Sequence, residues 1–263
     1  MCTIQWLFLG MRRQTKWFAL WAGLPLLFIL TGCSRADYQW GWYEVLPVTP
    51  AGASNLQFLI GGVGLTLALS TAALSGSIII GLLVALPGLS SRPWLRLMNR
   101  TYVELFRAIP VLVMILWVYY GLPIVAGISL GPFAAGILAL TLCDSAFEAE
   151  IFRGGIQSVD RGQLEAADAI GLTYLQKMRL VILPQAIRRI LPPLGNQFVY
   201  MLKMSSLVSV VGLQELTRRA NELTVTVYRP LEIYSVLVAE YLILILVASW
   251  GVRNLERRMA SAI

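Results

Sequence analysis

Residues 165–184 read Glu-Ala-Ala-Asp-Ala-Ile-Gly-Leu-Thr-Tyr-Leu-Gln-Lys-Met-Arg-Leu-Val-Ile-Leu-Pro, and this polar stretch lies between long apolar segments. The chain of 263 residues around it is 57% hydrophobic and 13% charged, with a mean hydropathy of +0.71. Soluble domains carry roughly 25% charged residues, so the composition indicates an integral membrane protein. A short, charged and structured loop on the inner face of such a protein suggests that another protein binds there.

Five apolar segments predict the fold class. Each can supply a helix across ~30 Å of hydrocarbon, which takes ~20 residues. They are 58–86, 105–122, 132–147, about 190–211 and 233–252, and the third is short, so it must extend to Glu148 or beyond. Since helices satisfy their own backbone in lipid, we predict an all-α polytopic transmembrane bundle. It has about five core helices, one N-terminal apolar helix or signal-like segment, and a short cytoplasmic helix.

The N-terminal segment 11–33 leaves several interpretations open. It starts with three basic residues, continues with an apolar run and ends at Cys33. It is either a retained first helix, which we favour, a cleaved signal, or a lipoprotein-type signal with Cys33 modified. We therefore predict two parts, with residues 1–55 as this segment plus an extracytoplasmic linker, and residues 56–258 as the membrane domain.

The basic residues predict the orientation. If the N-terminus is inside and the segments alternate, sixteen of the 21 Lys and Arg residues fall in cytoplasmic segments. Four fall outside, and Lys203 lies within a helix. This asymmetry follows the positive-inside rule. It predicts a cytoplasmic C-terminus and a cytoplasmic location for residues 158–184.

Capping signals predict that this cytoplasmic loop is a rigid helix–Gly–helix unit. Asp160 and Gln163 have the spacing of a helix start, so residues 161–170 form one helix that Gly171 ends. Thr173 and Gln176 repeat the pattern for a second helix that leads to Pro184. The alanines leave a thin surface that another protein could approach closely, and Leu164, Ala167 and Gly171 share one face by their spacing. For the helix alone, the alternative is an ordinary amphipathic helix that rests on the lipid headgroups.

The loop resembles the signature of permease subunits of binding-protein-dependent ABC importers. The matching pattern is Glu165-Ala166-Ala167, three residues, Gly171, nine residues, and Val181-Ile182-Leu183-Pro184, in which Val181 stands for the usual isoleucine. Four further stretches are similar to the polar amino acid branch (histidine, glutamine and glutamate permeases): 149–156, 162–163, 203–207, and 107–110 with both middle residues changed. Met114 departs from the glutamine common in that branch. The resemblance covers about residues 56–258.

The resemblance implies a permease subunit of an ATP-driven amino acid importer. Cytoplasmic ABC ATPases would bind the loop through Leu164, Glu165, Ala166, Ala167, Gly171 and Pro184. An extracytoplasmic binding protein would deliver the solute, and a second permease copy or a sister permease would complete the core in the bacterial inner membrane. ATP and Mg²⁺ would bind in the ATPase, with no cofactor in this chain. The sequence leaves open which amino acid is moved.

Four ionisable residues in the apolar segments are candidates for the solute pathway, because burying such groups in a bilayer is costly. They are Asp144, Glu148, Lys203 and Glu240. Asp144 and Glu148 share a helix face by their i, i+4 spacing. A carboxylate suits the ammonium group of an amino acid, and a lysine suits its carboxylate. The alternative is internal pairing, for example of Lys203 with Glu240.

Catalysis, metal binding and nucleic-acid binding lack support in the sequence. The chain has no histidine, no phosphate loop and no Cys-x-x-Cys motif, so we assign no catalytic, metal or cofactor residues and do not expect an enzyme. The net charge of +7 sorts by loop, as membrane topology requires, and not along a nucleic-acid stripe. Two rivals stay open: an ion-coupled secondary transporter or channel of small polar solutes, and a membrane enzyme built on Asp144 and Glu148. The balanced charges of segment 213–232 favour a solvated outer helix, and the alternative is a helix that rests on the membrane interface or contacts the binding protein.

Overall fold

The computed structural model describes residues 38–260, which are helical or irregular with no β-strand in that range. The chain divides into two units between Trp40 and Gly41. The predictions for the basic start, the apolar run and Cys33 lie outside the described residues. In the first unit, the rings of Tyr38 and Trp40 meet edge to face with centroids 5.2 Å apart.

The second unit is built from eleven α-helices in its described part. They are α1 (Pro50–Ile60), α2 (Val63–Gly88), α3 (Pro93–Ala108), α4 (Val111–Leu116), α5 (Leu122–Ala126), α6 (Pro132–Gln157), α7 (Arg161–Ala169), α8 (Tyr174–Lys177), α9 (Leu183–Met204), α10 (Leu216–Val227) and α11 (Pro230–Ala260). Wider π turns at Trp117–Gly121 and Met178–Ile182 join α4 to α5 and α8 to α9. Tight 3₁₀ turns cover Trp42–Glu44 and Ser205–Val211.

Length and apolar composition mark two helical stretches of the described chain as able to cross a membrane, Pro50–Gly88 and Pro230–Arg257. The bent pair Pro93–Ala108 and Val111–Ala126 would be a third if it forms one span. The helix α6, with 26 residues, and α9, with 22, also have the length to cross ~30 Å of hydrocarbon at ~1.5 Å per residue. The predicted all-α bundle of about five core helices is confirmed, and α6 extends past Glu148 as expected.

One predicted span is wrong in its form. Residues 105–122 are not a single straight helix, because α3 ends at Ala108 and the chain bends by 94° before α4 begins. Ile109 and Pro110 at the bend are extended, with ψ angles of 123° and 132°. The proline ring disfavours helical backbone in the residue before it, which explains a break at this point.

Small residues allow α2 and α6 to pack closely at the centre of the bundle. A Cβ on Gly81 would lie 2.5 Å from the Cβ of Glu148, and a Cβ on Gly76 would lie 2.8 Å from Oγ1 of Thr141. The same hydroxyl of Thr141 donates to the Ala73 carbonyl at 3.1 Å. Close approach and hydrogen bonds between helices replace the hydrophobic effect as the source of association inside a membrane.

Candidate functional site

The predicted helix–Gly–helix unit between α6 and α9 is present. Asp160 caps α7 by accepting the backbone N–H of Gly162 at 2.6 Å. The helix ends at Ala169, and Gly171 has a φ angle of +75°, in the left-handed region that favours glycine. Thr173 and Gln176 form the predicted capping box at the start of α8. These local signals were correct because caps depend on near neighbours in sequence.

Contacts within this unit, here called the coupling loop (residues 158–184), and contacts with α9 and the bundle hold it in place. Lys177 Nζ lies 2.5 Å from Asp168 Oδ1, which ties α8 to α7. The guanidinium of Arg189 on α9 donates to the carbonyl of Ser158 at the start of the loop. Leu164 packs against a cluster of buried apolar side chains that includes Phe152 and Ile182. The loop is therefore a stiff element.

The structure separates the six predicted loop residues into two groups. Glu165, Ala166, Gly171 and Pro184 are exposed, as a surface for a partner requires. Ala167 is buried and Leu164 is half-buried, so these two anchor α7 to the bundle and do not extend the exposed surface. Leu164, Ala167 and Gly171 were predicted to share one face; Leu164 and Ala167 lie on the side of α7 that packs on the bundle, whereas Gly171, beyond the end of the helix, is exposed.

Three large apolar side chains next to Gly171 were missed by the sequence reasoning. Ile170, Tyr174 and Leu175 are 75%, 73% and 75% exposed. We call these three residues the loop patch. Exposed apolar clusters of this kind mark sites that another surface covers. The signal in the sequence was their position on either side of a left-handed glycine.

The carboxylates of α6 lie in the interior of the bundle. Asp144 is 3% exposed and accepts hydrogen bonds from Ser77 Oγ on α2, at 2.7 Å, and from the side-chain amide of Gln197 on α9. Glu148 is fully buried, and neither of its carboxylate oxygens has a hydrogen-bond partner within the described chain. Gln197 was missed because it lies 53 residues from Asp144 in sequence.

Lys203 and Glu240 are apart from each other. Lys203 is exposed and lines an open cavity of about 400 Å³ between α9 and α11, together with Asn196, Tyr200, Ser249, Arg253 and Glu256. The carboxylate oxygens of Glu240 are buried without a hydrogen-bond partner in the part of the chain that is described. The suggested Lys203–Glu240 ion pair is therefore wrong. Tyr200 also contacts the small pocket that contains Asp144, so one side chain borders both places.

The charged segment 213–232 is more buried than its composition suggests. Glu215 is fully buried, caps α10 by accepting the N–H of Arg218 at 2.8 Å, and accepts the hydroxyl of Tyr241 at 2.8 Å. Glu232 is also fully buried and accepts the N–H of Gly41 at 2.6 Å. The prediction of a solvated helix is wrong for these two side chains, because each satisfies groups that belong to other elements.

A comparison with protein families identifies the kind of protein. Residues 77–261 match the family model described as the binding-protein-dependent transport system inner membrane component. The chain belongs to this family. Within residues 38–260, no group of three or more His, Cys, Asp or Glu side chains could hold a metal ion.

Individual relatives and a solved structure support the same family assignment. This permease is 36% identical over 222 residues to the glutamine transport system permease protein GlnP of Escherichia coli strain K12, covering 84% of this chain and 98% of that one. It is 41% identical over 205 residues to the probable glutamine ABC transporter permease protein GlnM of Bacillus subtilis strain 168, covering 78% and 94%. A crystal structure of an amino acid ABC transporter with histidines matches with a TM-score of 0.77 and 38% identity, covering 84% of this chain and all of that one.

More distant structures share the fold alone. Inward-facing MetNI methionine ABC transporter matches with a TM-score of 0.67 at 21% identity, over 78% of this chain and 97% of that one. The rival interpretations as a secondary transporter, a channel or a membrane enzyme are not favoured by any of these matches. The permease is a multi-pass inner membrane component of an ABC transport system.

Proposed function

We propose that this permease forms the solute pathway of an ATP-driven importer of a polar amino acid, glutamine being the first candidate. The substrate class is supported by the glutamine permeases of Escherichia coli and Bacillus subtilis and by the amino acid transporter structure. The single observation that carries the mechanism is the coupling loop, a capped helix between two long helices that exposes apolar residues at its turn. The importing domain is residues 56–258.

The coupling loop transmits force from a cytoplasmic ATPase. The loop patch, with Glu165 and Ala166 beside it, offers the apolar and polar contacts of a docking surface. Leu164 and the Arg189–Ser158 contact carry a displacement of α7 into α6 and α9. A stiff element whose contacts differ between two states is what coupling requires. ATP and Mg²⁺ bind in the ATPase, and this chain contributes no catalytic residue.

The coupling loop and the C-terminus face the cytoplasm. This orientation is supported by the distribution of Lys and Arg, which are dense near the loop and near the end of α11. The opposite end, with α10, then faces the extracytoplasmic binding protein. A second copy of this chain or a sister permease completes the membrane core.

The solute passes α9 between two polar places, the open cavity that contains Lys203 and the small pocket that contains Asp144. Its carboxylate meets Lys203 and Arg253 in the open cavity, which also offers neutral donors and acceptors from Asn196 and Ser249. Its ammonium group is attracted towards the carboxylate of Asp144 beyond Tyr200. Glu148 and Glu240 are further pathway candidates, because unpartnered carboxylates inside a bundle are costly and call for a role.

Co-purification tests the coupling. The full chain is expressed with its ATPase and purified in detergent, and the ATPase that elutes with it is quantified. Ile170→Asp with Leu175→Asp should release the ATPase, as should Glu165→Arg or Gly171→Asp. Val225→Asp is the matched control, since Val225 is also an exposed apolar residue but lies on α10. Retention of the ATPase by all the loop variants would refute the assignment.

Uptake tests the pathway separately. Asp144→Asn should reduce glutamine uptake into proteoliposomes while the ATPase still co-purifies, because the substitution leaves the loop intact. Lys203→Gln should do the same by removing the partner of the solute carboxylate. Unchanged uptake in a variant with both substitutions would rule out this route through the bundle.

A further inference from the structure

The helix α3 has three distinct faces. One face packs on the bundle, where Asn99 Nδ2 donates to the carbonyl of Val84 at 2.7 Å and the hydroxyls of Tyr102 and Ser145 lie 2.8 Å apart. A second face carries Trp94, Leu97, Met98 and Leu105, each more than half exposed and spaced i, i+3, i+4, i+11. Between them runs a third face with Arg96, Arg100 and Arg107, spaced i, i+4, i+11. An apolar stripe beside a basic stripe is the pattern of a helix that lies in a membrane interface.

The bend after α3 gives the helix the right direction for that role. The axis of α3 is turned by 94° from that of Val111–Ala126. If the second stretch runs along the membrane normal, α3 lies nearly parallel to the bilayer plane. The arginines of α3 lie at the same end of α6 as the coupling loop, since they meet Glu150 and Arg153 near the end of that helix.

The basic stripe lines an open pocket of about 350 Å³ between α3 and α6. Its charged residues are Arg96, Arg100, Glu104, Arg107, Glu150 and Arg153, four positive and two negative. Ion pairs occupy both carboxylates, with Arg100 and Glu104 at 2.7 Å and Arg153 and Glu150 at 2.5 Å. Among the described residues, Arg96 and Arg107 are left without a carboxylate within ion-pair distance, and the guanidinium of Arg107 is 4.9 Å from the ring centroid of Phe147. The charged side chains that line the pocket thus have a net charge of +2.

We propose that this pocket binds the phosphate of an anionic phospholipid from the cytoplasmic leaflet. Arginine offers a planar fork of donors that fits phosphate oxygens in pairs. The neighbouring apolar stripe selects a lipid over a free anion, because the acyl chains of a bound lipid would lie against Trp94, Leu97, Met98 and Leu105. The inference depends on the proposed function only through the cytoplasmic orientation of the loop.

Such a lipid would hold α3 in the interface next to the coupling loop. Arg153 in the pocket is on α6, and α6 leads directly into α7. The anionic lipid content of the membrane would therefore influence the position of the helix that carries the force of the ATPase.

Native mass spectrometry of the purified full chain tests the proposal. The chain is titrated with phosphatidylglycerol or with phosphatidylcholine, and the bound fraction is measured. Arg96→Gln with Arg107→Gln should weaken phosphatidylglycerol binding about 25-fold, since each basic side chain near an anionic surface contributes about fivefold. Arg188→Gln with Arg257→Gln is the matched control, because it removes two exposed charges from α9 and α11 that do not line this pocket, and it should retain binding.

Several outcomes overturn the proposal. Equal loss in the control variant would mean general charge attraction, and equal binding of phosphatidylcholine would mean no selection of an anion. Displacement of the lipid by excess inorganic phosphate alone would make this a site for a free anion. If the variant with Arg96→Gln and Arg107→Gln does not fold, Arg96→Lys with Arg107→Lys keeps both charges and should keep most of the lipid binding. If the variant with Arg96→Lys and Arg107→Lys folds but does not bind phosphatidylglycerol, the role of charge is refuted. None of these results affects ATPase co-purification, so failure here is distinct from failure of the proposed function.

Discussion

The close crossing of α2 and α6 allows a quantitative test at one glycine. In Gly81→Ala the new methyl group would lie 2.5 Å from Glu148 Cβ, 3.0 Å from the Ser145 carbonyl oxygen and 3.1 Å from the Ala149 nitrogen. Carbon atoms in contact normally lie about 3.5–4.0 Å apart, so the two helices must separate by about 1 Å. Overpacking of this kind typically costs ~1–3 kcal/mol.

Gly64→Ala is the matched control for this substitution. Gly64 lies in the same helix, and a Cβ there would meet nothing within 4 Å. Both variants gain the same intrinsic helix propensity, about 1 kcal/mol, so their difference isolates the clash. We expect Gly81→Ala to be ~1–3 kcal/mol less stable than Gly64→Ala in denaturant unfolding of the purified chain in detergent, followed by circular dichroism. Equal stability of the two variants would refute the account of α2 packing on α6.

Three further substitutions test local contacts. Thr173→Ala removes the capping box and should destabilise the next turn by ~1 kcal/mol, seen as faster hydrogen exchange of its amides with no change elsewhere. Glu215→Ala removes a helix cap and leaves the hydroxyl of Tyr241 without its acceptor, so detergent unfolding should show a loss of ~2–4 kcal/mol, and a loss below 1 kcal/mol would contradict the buried role. Asp168→Asn breaks the ion pair with Lys177, but the aspartate side chain is 60% exposed, so the same assay should show less than ~1 kcal/mol.

The polar groups of this permease follow two different physical rules. Asp144 and Glu215 are buried with specific donors, so their environment is built around a carboxylate. Glu148 and Glu240 are buried with no such donors in residues 38–260. The carboxylates of Asp144 and Glu215 have their hydrogen bonds within the bundle. Those of Glu148 and Glu240 need a donor from a solute, a partner or another conformation of the chain.

The bend at Pro110 shows what the sequence contained but hydropathy concealed. A proline within an apolar run disfavours a helical residue before it, and that signal was available from the sequence. The apolar run continued through it, however, so the segment 105–122 was interpreted as one span. The opposite error occurs in α6. Its apolar run ends at residue 147, so hydropathy alone gave a short segment, whereas the helix continues to Gln157.

The sequence by itself determined the helical membrane class, the capped coupling loop and its left-handed glycine, because composition and capping depend on single residues and near neighbours. Only the tertiary structure decided that Ala167 faces the bundle while Ile170, Tyr174 and Leu175 face away from it. It also decided that Asp144 meets Gln197 and that Lys203 does not meet Glu240. These facts depend on how helices far apart in sequence pack and rotate against one another, and periodicity within one helix does not specify that packing.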